Sequence, residues 1–153
     1  MGFDVHQLVE GRDLWLGGIK IPHTLGLLGH SDADVLIHAI CDALLGAANM
    51  RDIGYHFPPV KGNEFENVDS KILLKKTIEL IATKGYHVGN IDATVCAERP
   101  KINPHVPEMK ACLTEVMGVD EDCVSIKATT TEKLGFTGRE EGISAYAVVL
   151  IEK

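Results

Sequence analysis

The sequence predicts an α/β (α+β) fold, a single two-layer domain over residues 1–153 with helices on one face of a mixed β-sheet. Three observations point there. Segments with strand-like patterning stand at both ends of the chain, and stretches with apolar residues at helical spacing separate them. A length of 153 residues suffices to bury one core. No repeat, low-complexity tract or polar linker breaks the chain, and 45% hydrophobic with 24% charged residues is the balance of a folded globular protein.

Taken in order, residues 3–8 read as a strand, and residues 14–21 as a hairpin-like pair broken by Gly17-Gly18 and ended by Pro22. A polar Ser31-Asp32-Ala33-Asp34 lead then opens a helix whose apolar positions include Val35, Ile37, Ile40, Leu44 and Leu45, expected to be the most buried of the molecule. Residues 52–69 carry Gly54, Pro58, Pro59 and Gly62 with little periodicity, a long loop of the kind that covers a site. Ser70 is expected to N-cap a helix reaching Lys84 and closed by Gly85. A strand over 90–97, a Pro-flanked helix over 104–117 and strands over 124–129 and 143–151 complete the pattern. An uncovered apolar face on such a sheet would favour association.

The net charge of −7 argues against a nucleic-acid surface, which needs clustered Lys and Arg. It leaves room for a small anion held by a metal and a few local donors. Cys41, Cys96, Cys112 and Cys123 form no CxxC pair and read as buried core residues, in keeping with a reducing cytoplasm. No apolar run approaches a membrane span and no basic-then-apolar leader is present, so a cytoplasmic location is expected.

Asp4 and His6 lie two apart on a strand and therefore project to one face. His38 sits within an apolar helix at helical spacing from Asp34 and Asp42. Ionisable groups in such a setting must be paired, metal-bound or lining a cleft. Three mixed N and O donors with a fourth position open would resemble a catalytic zinc site, whereas a core His held by a neighbouring Asp is the simpler alternative. Residues 29–32 offer polar groups ahead of the helix, suited to phosphate or to ordinary capping. The stretch Lys127-Ala128-Thr129-Thr130-Thr131-Glu132 crowds hydroxyls and a carboxylate together, and Glu132 is placed to hold a hard cation such as Mg²⁺.

Taken together, the motifs F-D-V-H at 3–6, G-H-S-D-A-D at 29–34, I-H-A at 37–39, D-A-L-L-G-A at 42–47, D-I-G at 52–54 and K-A-T-T-T-E-K-L-G-F-T-G-R at 127–139 resemble those of the 2-C-methyl-D-erythritol 2,4-cyclodiphosphate synthase family. The resemblance implies a ferredoxin-like two-layer sandwich, with sheets packed around the threefold axis of a homotrimer and active sites at subunit boundaries. Asp4, His6 and His38 would bind Zn²⁺, and Glu132 a second Mg²⁺ or Mn²⁺ between two substrate phosphates. The implied substrate is a cytidine diphosphate derivative of methylerythritol carrying a 2-phosphate, cyclised with release of CMP.

By the same resemblance His30 and Thr130 would stabilise the transition state. Ser31 would contact phosphate, while Asp52, Ile53 and Gly54 hold the erythritol portion. Asp4, Val5, His6, Phe57 and Lys61 count among the substrate contacts. Ala97, Pro100, Lys101, Ile102, Asn103 and Ala128 to Thr131 would form the nucleotide pocket of a neighbouring subunit, and Glu132 counts among the substrate contacts. Phe136 and Arg139, with Glu141, would face a central cavity able to hold an isoprenoid diphosphate. One departure stands out: the family's Phe-Pro-Asp-Thr-Asp is here Phe57-Pro58-Pro59-Val60-Lys61, so that loop's carboxylates are missing. The first strand is also expected to be shortened at its start. A non-catalytic diphosphate-binding module and a metal-dependent phosphohydrolase using Asp42 or Asp52 as base are the competing functions.

Overall fold

The computed structural model describes residues 1–59 and 67–153. Strand β1 (Gly2–Val9) leads to the hairpin β2 (Leu14–Leu16) and β3 (Ile19–Ile21), then to a short β4 (Gly26–Leu27) and helix α1 (Val35–Ala47). The four-residue α2 (Ile53–His56) and α3 (Ser70–Thr83) follow. The second half runs β5 (His87–Cys96), α4 (Val106–Met117), β6 (Val124–Thr129), the short α5 (Gly135–Gly138) and β7 (Gly142–Glu152).

The main sheet has the order β4-β1-β7-β5-β6, with β5 and β6 parallel and its other pairings antiparallel. The path from β1 to β5 leaves β7 between them, a split β-α-β crossover, and that from β5 to β6 joins parallel neighbours. This is the mixed sheet expected from the alternation of segments.

Helix α1 is the centre of the core. Leu36, Ile37, Ile40, Leu44 and Leu45 are fully buried, each worth about 1.5–3 kcal/mol over exposure. A single apolar cluster extends from Leu8 to Ala147 among the described residues. Gly2 sets the distance between α1 and β1, since a Cβ there would lie 1.9 Å from the Ala39 carbonyl oxygen. Small residues at both positions thus let the strand press directly on the helix, which brings the chemistry of residues 4, 6 and 38 within reach.

Opposite the helices, the sheet exposes Phe3, Val5, Tyr146, Val148 and Leu150. Phe3 pairs with Tyr146 across the β1–β7 ladder, their ring centres 4.9 Å apart.

Several boundaries differ from the sequence reading, for local reasons. Asp69, not Ser70, caps α3, its carboxylate accepting the Lys71 N–H at 2.9 Å. Strand β5 begins at His87 because Glu152 of β7 extends the ladder to that point. Residues 103–105 form a 3-10 turn ahead of α4. Of the cysteines only Cys41 is fully buried, while Cys96, Cys112 and Cys123 are half-buried; all four are free thiols.

Candidate metal centre and active-site cavity

Asp4 and His6 share the inner face of β1, and His38 comes to them from α1. Asp4 Oδ2 lies 3.0 Å from His6 Nε2 and 3.0 Å from His38 Nδ1, and the two nitrogens are 3.2 Å apart. Ligands about 2.0 Å from a tetrahedral zinc ion lie about 3.3 Å from one another, so this triangle fits one such ion. The three are the only such metal-competent group among the described residues.

Hydrogen bonds behind the triangle fix which nitrogens face it. His6 Nδ1 is 2.8 Å from the Leu28 carbonyl oxygen, which can only accept, so Nδ1 donates there and Nε2 faces the centre. His38 turns Nε2 toward Ser70 Oγ at 3.0 Å and Ser31 Oγ at 3.2 Å, leaving Nδ1 for the centre. Burial works against charge on both members of the Asp4–His38 pair. It is outweighed: the hydrogen bonds from His38 and His6 hold the Asp4 carboxyl below its ordinary range, and the bond to Asp4 lifts His38 above its own.

The triangle opens into a cavity of about 210 Å³ that His30, Ser31, Ile53, Gly54, Phe57, Pro59 and Leu73 complete. Arg12 holds the loop that carries two of these, donating to the Ser31 carbonyl at 2.7 Å and the Gly29 carbonyl at 3.4 Å.

Other sequence-predicted residues fall elsewhere. Asp34 does not join His38 in the cavity. It is fully buried, accepts from Gly17, Gly18 and Ile37 N–H groups, and is pushed upward in pKa by burial and by Asp32. Asp42 accepts the Ile53 N–H at 2.7 Å, and Asp52 caps α2 by accepting the Tyr55 N–H at 2.9 Å. Both carboxylates thus also hold α2, with Ile53 and Gly54, against the cavity. Val5 projects from the other face of the sheet and lines a hollow of about 380 Å³ with Gln7, Phe136, Glu141 and Gly142. Glu141 of this hollow forms a two-point ion pair with Arg139 at 2.8 and 3.1 Å. Lys61 lies outside the described residues.

Ala97, Pro100, Lys101, Ile102, Asn103, Ala128, Thr129 and Thr130, with Glu98, line a separate hollow of about 110 Å³. Thr131 is not among them; its hydroxyl closes a turn on the Leu134 carbonyl at 2.7 Å. Thr130 Oγ1 donates to Glu132 at 3.2 Å, and Glu132 and Lys133 take positive φ angles of 52° and 64° in the bend after β6. Through the ladders Asp4 aligns with Ala145, Val95 and Ala128. Three strand spacings of about 4.8 Å put the two hollows roughly 14 Å apart in one subunit.

A family model described as the YgbB family matches residues 1–152. The chain belongs to the YgbB family. This YgbB-family chain is 78% identical over 152 residues to the 2-C-methyl-D-erythritol 2,4-cyclodiphosphate synthase of Bacteroides fragilis, covering 99% of the chain and 95% of that relative. It superposes on the bifunctional IspDF from Campylobacter jejuni with a TM-score of 0.94 at 42% identity, covering 98% of this chain and 40% of that larger one. A CDP-bound 2C-methyl-D-erythritol-2,4-cyclodiphosphate synthase matches with a TM-score of 0.90 at 33% identity, over 99% of this chain and 97% of that one.

Sequence reasoning missed Ser70 and Arg12 as parts of the site, and it offered Asp32 for phosphate or capping where the structure pairs it with Ser70. Ser70 and Arg12 reach it from 32 positions after His38 and 19 before Ser31, and no local spacing signals such contacts.

Proposed function

We propose that the chain converts 4-diphosphocytidyl-2-C-methyl-D-erythritol 2-phosphate to the cyclic 2,4-diphosphate and CMP, the activity named in its close relatives. A 2-phosphate oxygen bonds to the β-phosphorus as the bond from that phosphorus to the bridging oxygen breaks. The electron pair leaves with CMP on its phosphate. The nucleophile is already anionic, so no activated Ser or Cys is required, and the difficulty is bringing two anions together. Zn²⁺ at Asp4, His6 and His38 and a Mg²⁺ or Mn²⁺ at Glu132 would supply neutralising charge to the phosphates.

The chain's own groups divide the remaining tasks. His30 and Ser31, on the loop held by Arg12, offer donors to the phosphates at the mouth of the metal triangle. Ile53, Gly54 and Phe57 form the wall for the methylerythritol carbon skeleton. Ala97, Pro100 to Asn103 and Ala128 to Thr130 enclose the cytidine, with Lys101 adding positive charge and Thr130 a hydroxyl for the reacting diphosphate. The observation that carries this reading is the separation of the two hollows. A cytidine diphosphate substrate is complemented when the metal half of one subunit meets the nucleotide half of another, which a homotrimer packed through Phe3, Val5, Tyr146, Val148 and Leu150 would achieve. In that assembly the hollow lined by Val5, Phe136 and Glu141 would face the threefold axis, with an isoprenoid diphosphate as its candidate ligand.

The test is product analysis by ³¹P NMR with purified protein, zinc and Mg²⁺. Cyclic diphosphate and CMP in equal amounts are expected, with no turnover after chelation or in His38→Ala. CMP accompanied by an open-chain bisphosphate would identify a hydrolase. Nucleotide diphosphate binding that survives His38→Ala without turnover by the unmodified protein would identify a binding module.

A further inference from the structure

We infer that Asp32 and Ser70 are positioning residues that select the nitrogen His38 presents to the metal, an inference that rests on the metal-site reading above. Ser70 is fully buried at the first turn of α3, and its hydroxyl stands between Asp32 and His38. Its single hydrogen goes to Asp32 Oδ1. That oxygen also accepts the Asp34 N–H at 3.1 Å, and Oδ2 accepts the Ser70 N–H at 2.8 Å, so the Asp32 carboxylate faces donors only.

With its hydrogen committed, Ser70 Oγ can only accept from His38 Nε2, 3.0 Å away. Nε2 must therefore carry a proton, so that in the zinc-loaded protein the imidazole turns an unprotonated Nδ1 toward the metal position beside Asp4 and His6. A carboxylate, a hydroxyl and an imidazole thus stand in line behind the metal position, the outer-shell arrangement that fixes tautomer and ring orientation in metal-bound histidines. Ser31 Oγ, which accepts the Ala33 N–H at 3.1 Å, lies 3.2 Å from the same nitrogen and has a lone pair left to share that proton.

The arrangement also ties the ligand to Asn67 and Val68. Asn67 N–H donates to the His30 carbonyl at 2.7 Å and Asp32 N–H to the Val68 carbonyl at 3.3 Å, immediately before Ser70. The orientation of His38 is therefore set by residues next to those that anchor Asn67 and Val68 beside His30 and Asp32.

Zinc affinity measured by competition with a chromophoric chelator tests this apart from turnover. Ser70→Ala is expected to weaken zinc about 10- to 100-fold and Asp32→Asn about tenfold, while His38→Ala loses the site. Long-range ¹H–¹⁵N NMR of the zinc-loaded unmodified protein is expected to show the His38 proton on Nε2, a readout that needs no variant to fold. Zinc affinity within about twofold of the unmodified protein in both variants, or a proton on Nδ1, would overturn the assignment while leaving the metal site standing. Unchanged zinc binding by His38→Ala would instead remove the metal site and the assignment together.

Discussion

Asp34 Oδ2 accepts the Gly18 N–H at 2.7 Å in the interior, joining the hairpin turn to the start of α1. The other oxygen accepts from Gly17 at 2.9 Å and from Ile37 at 3.1 Å. Gly17 and Gly18 have φ angles of 62° and 79°, the left-handed backbone that a tight β2–β3 turn needs. One carboxylate therefore caps the helix that carries His38 and closes a hairpin 16 residues upstream. Asp34→Ala would leave three buried donors unpaired and is expected to cost about 3–5 kcal/mol, seen as a lower midpoint in chemical unfolding. A loss below about 1 kcal/mol would show that the turn is held by something else.

Protons and zinc compete for His38. In the metal-free protein its raised pKa contributes stability that is fully present below the ordinary value of 6.5 and is lost as pH rises through the folded value. Asp4, held below its ordinary 3.8, contributes above that value and loses its share as pH falls through the lowered one. Zinc must displace the Nδ1 proton, so the increase in Tm produced by zinc is expected to grow from pH 6 to pH 8. Thermal unfolding with and without zinc across that range checks this, and a pH-independent increase would count against it.

Arg12 grips the loop bearing His30 and Ser31 by its carbonyls and lines neither hollow. Arg12→Ala is expected to lower kcat about tenfold while leaving zinc affinity unchanged, as loss of one charged hydrogen-bonding group of about 1.5–3 kcal/mol would do. Arg12→Lys should recover little, because a single ammonium cannot bridge two carbonyls as the guanidinium fork does. Steady-state kinetics beside zinc titration separate this from general unfolding.

The outer sheet face offers a direct test of assembly. Tyr146 and Val148 are 42% and 56% exposed at the middle of the apolar surface. Val148→Asp is expected to yield a 16.6 kDa monomer in sedimentation that still binds zinc but does not turn over. A trimer that persists with full activity would place the subunit contact elsewhere.

Much of this was legible in the sequence because period speaks directly to facing. The alternation in residues 3–8 put Asp4 and His6 on one side, and the apolar spacing of residues 35–45 marked the helix that buries against them. The Gly17-Gly18 break correctly split a hairpin. What could not be read was partner choice among polar residues. Asp34 shares a helical stripe with His38, yet the hairpin turn claims it, because a buried carboxylate binds whichever unpaired N–H groups the fold delivers. Asp42 likewise accepts a backbone donor of α2, the Ile53 N–H. Ser70 looked like a cap, and Asp69 performs that role, freeing the Ser70 hydroxyl for His38. Each of these depends on contacts more than ten residues apart or on a one-residue shift that composition does not mark.

In the proposed trimer, the separation of roughly 14 Å between the metal triangle and the nucleotide hollow, three strand spacings, carries a genetic consequence. Subunits damaged at His38 and subunits damaged at Lys101 would each form inactive homotrimers. Co-assembled, they would create some junctions composed entirely of undamaged halves, and activity would reappear in the mixture. The fraction regained would follow the statistics of random mixing, so two dead proteins would together report how the halves are shared.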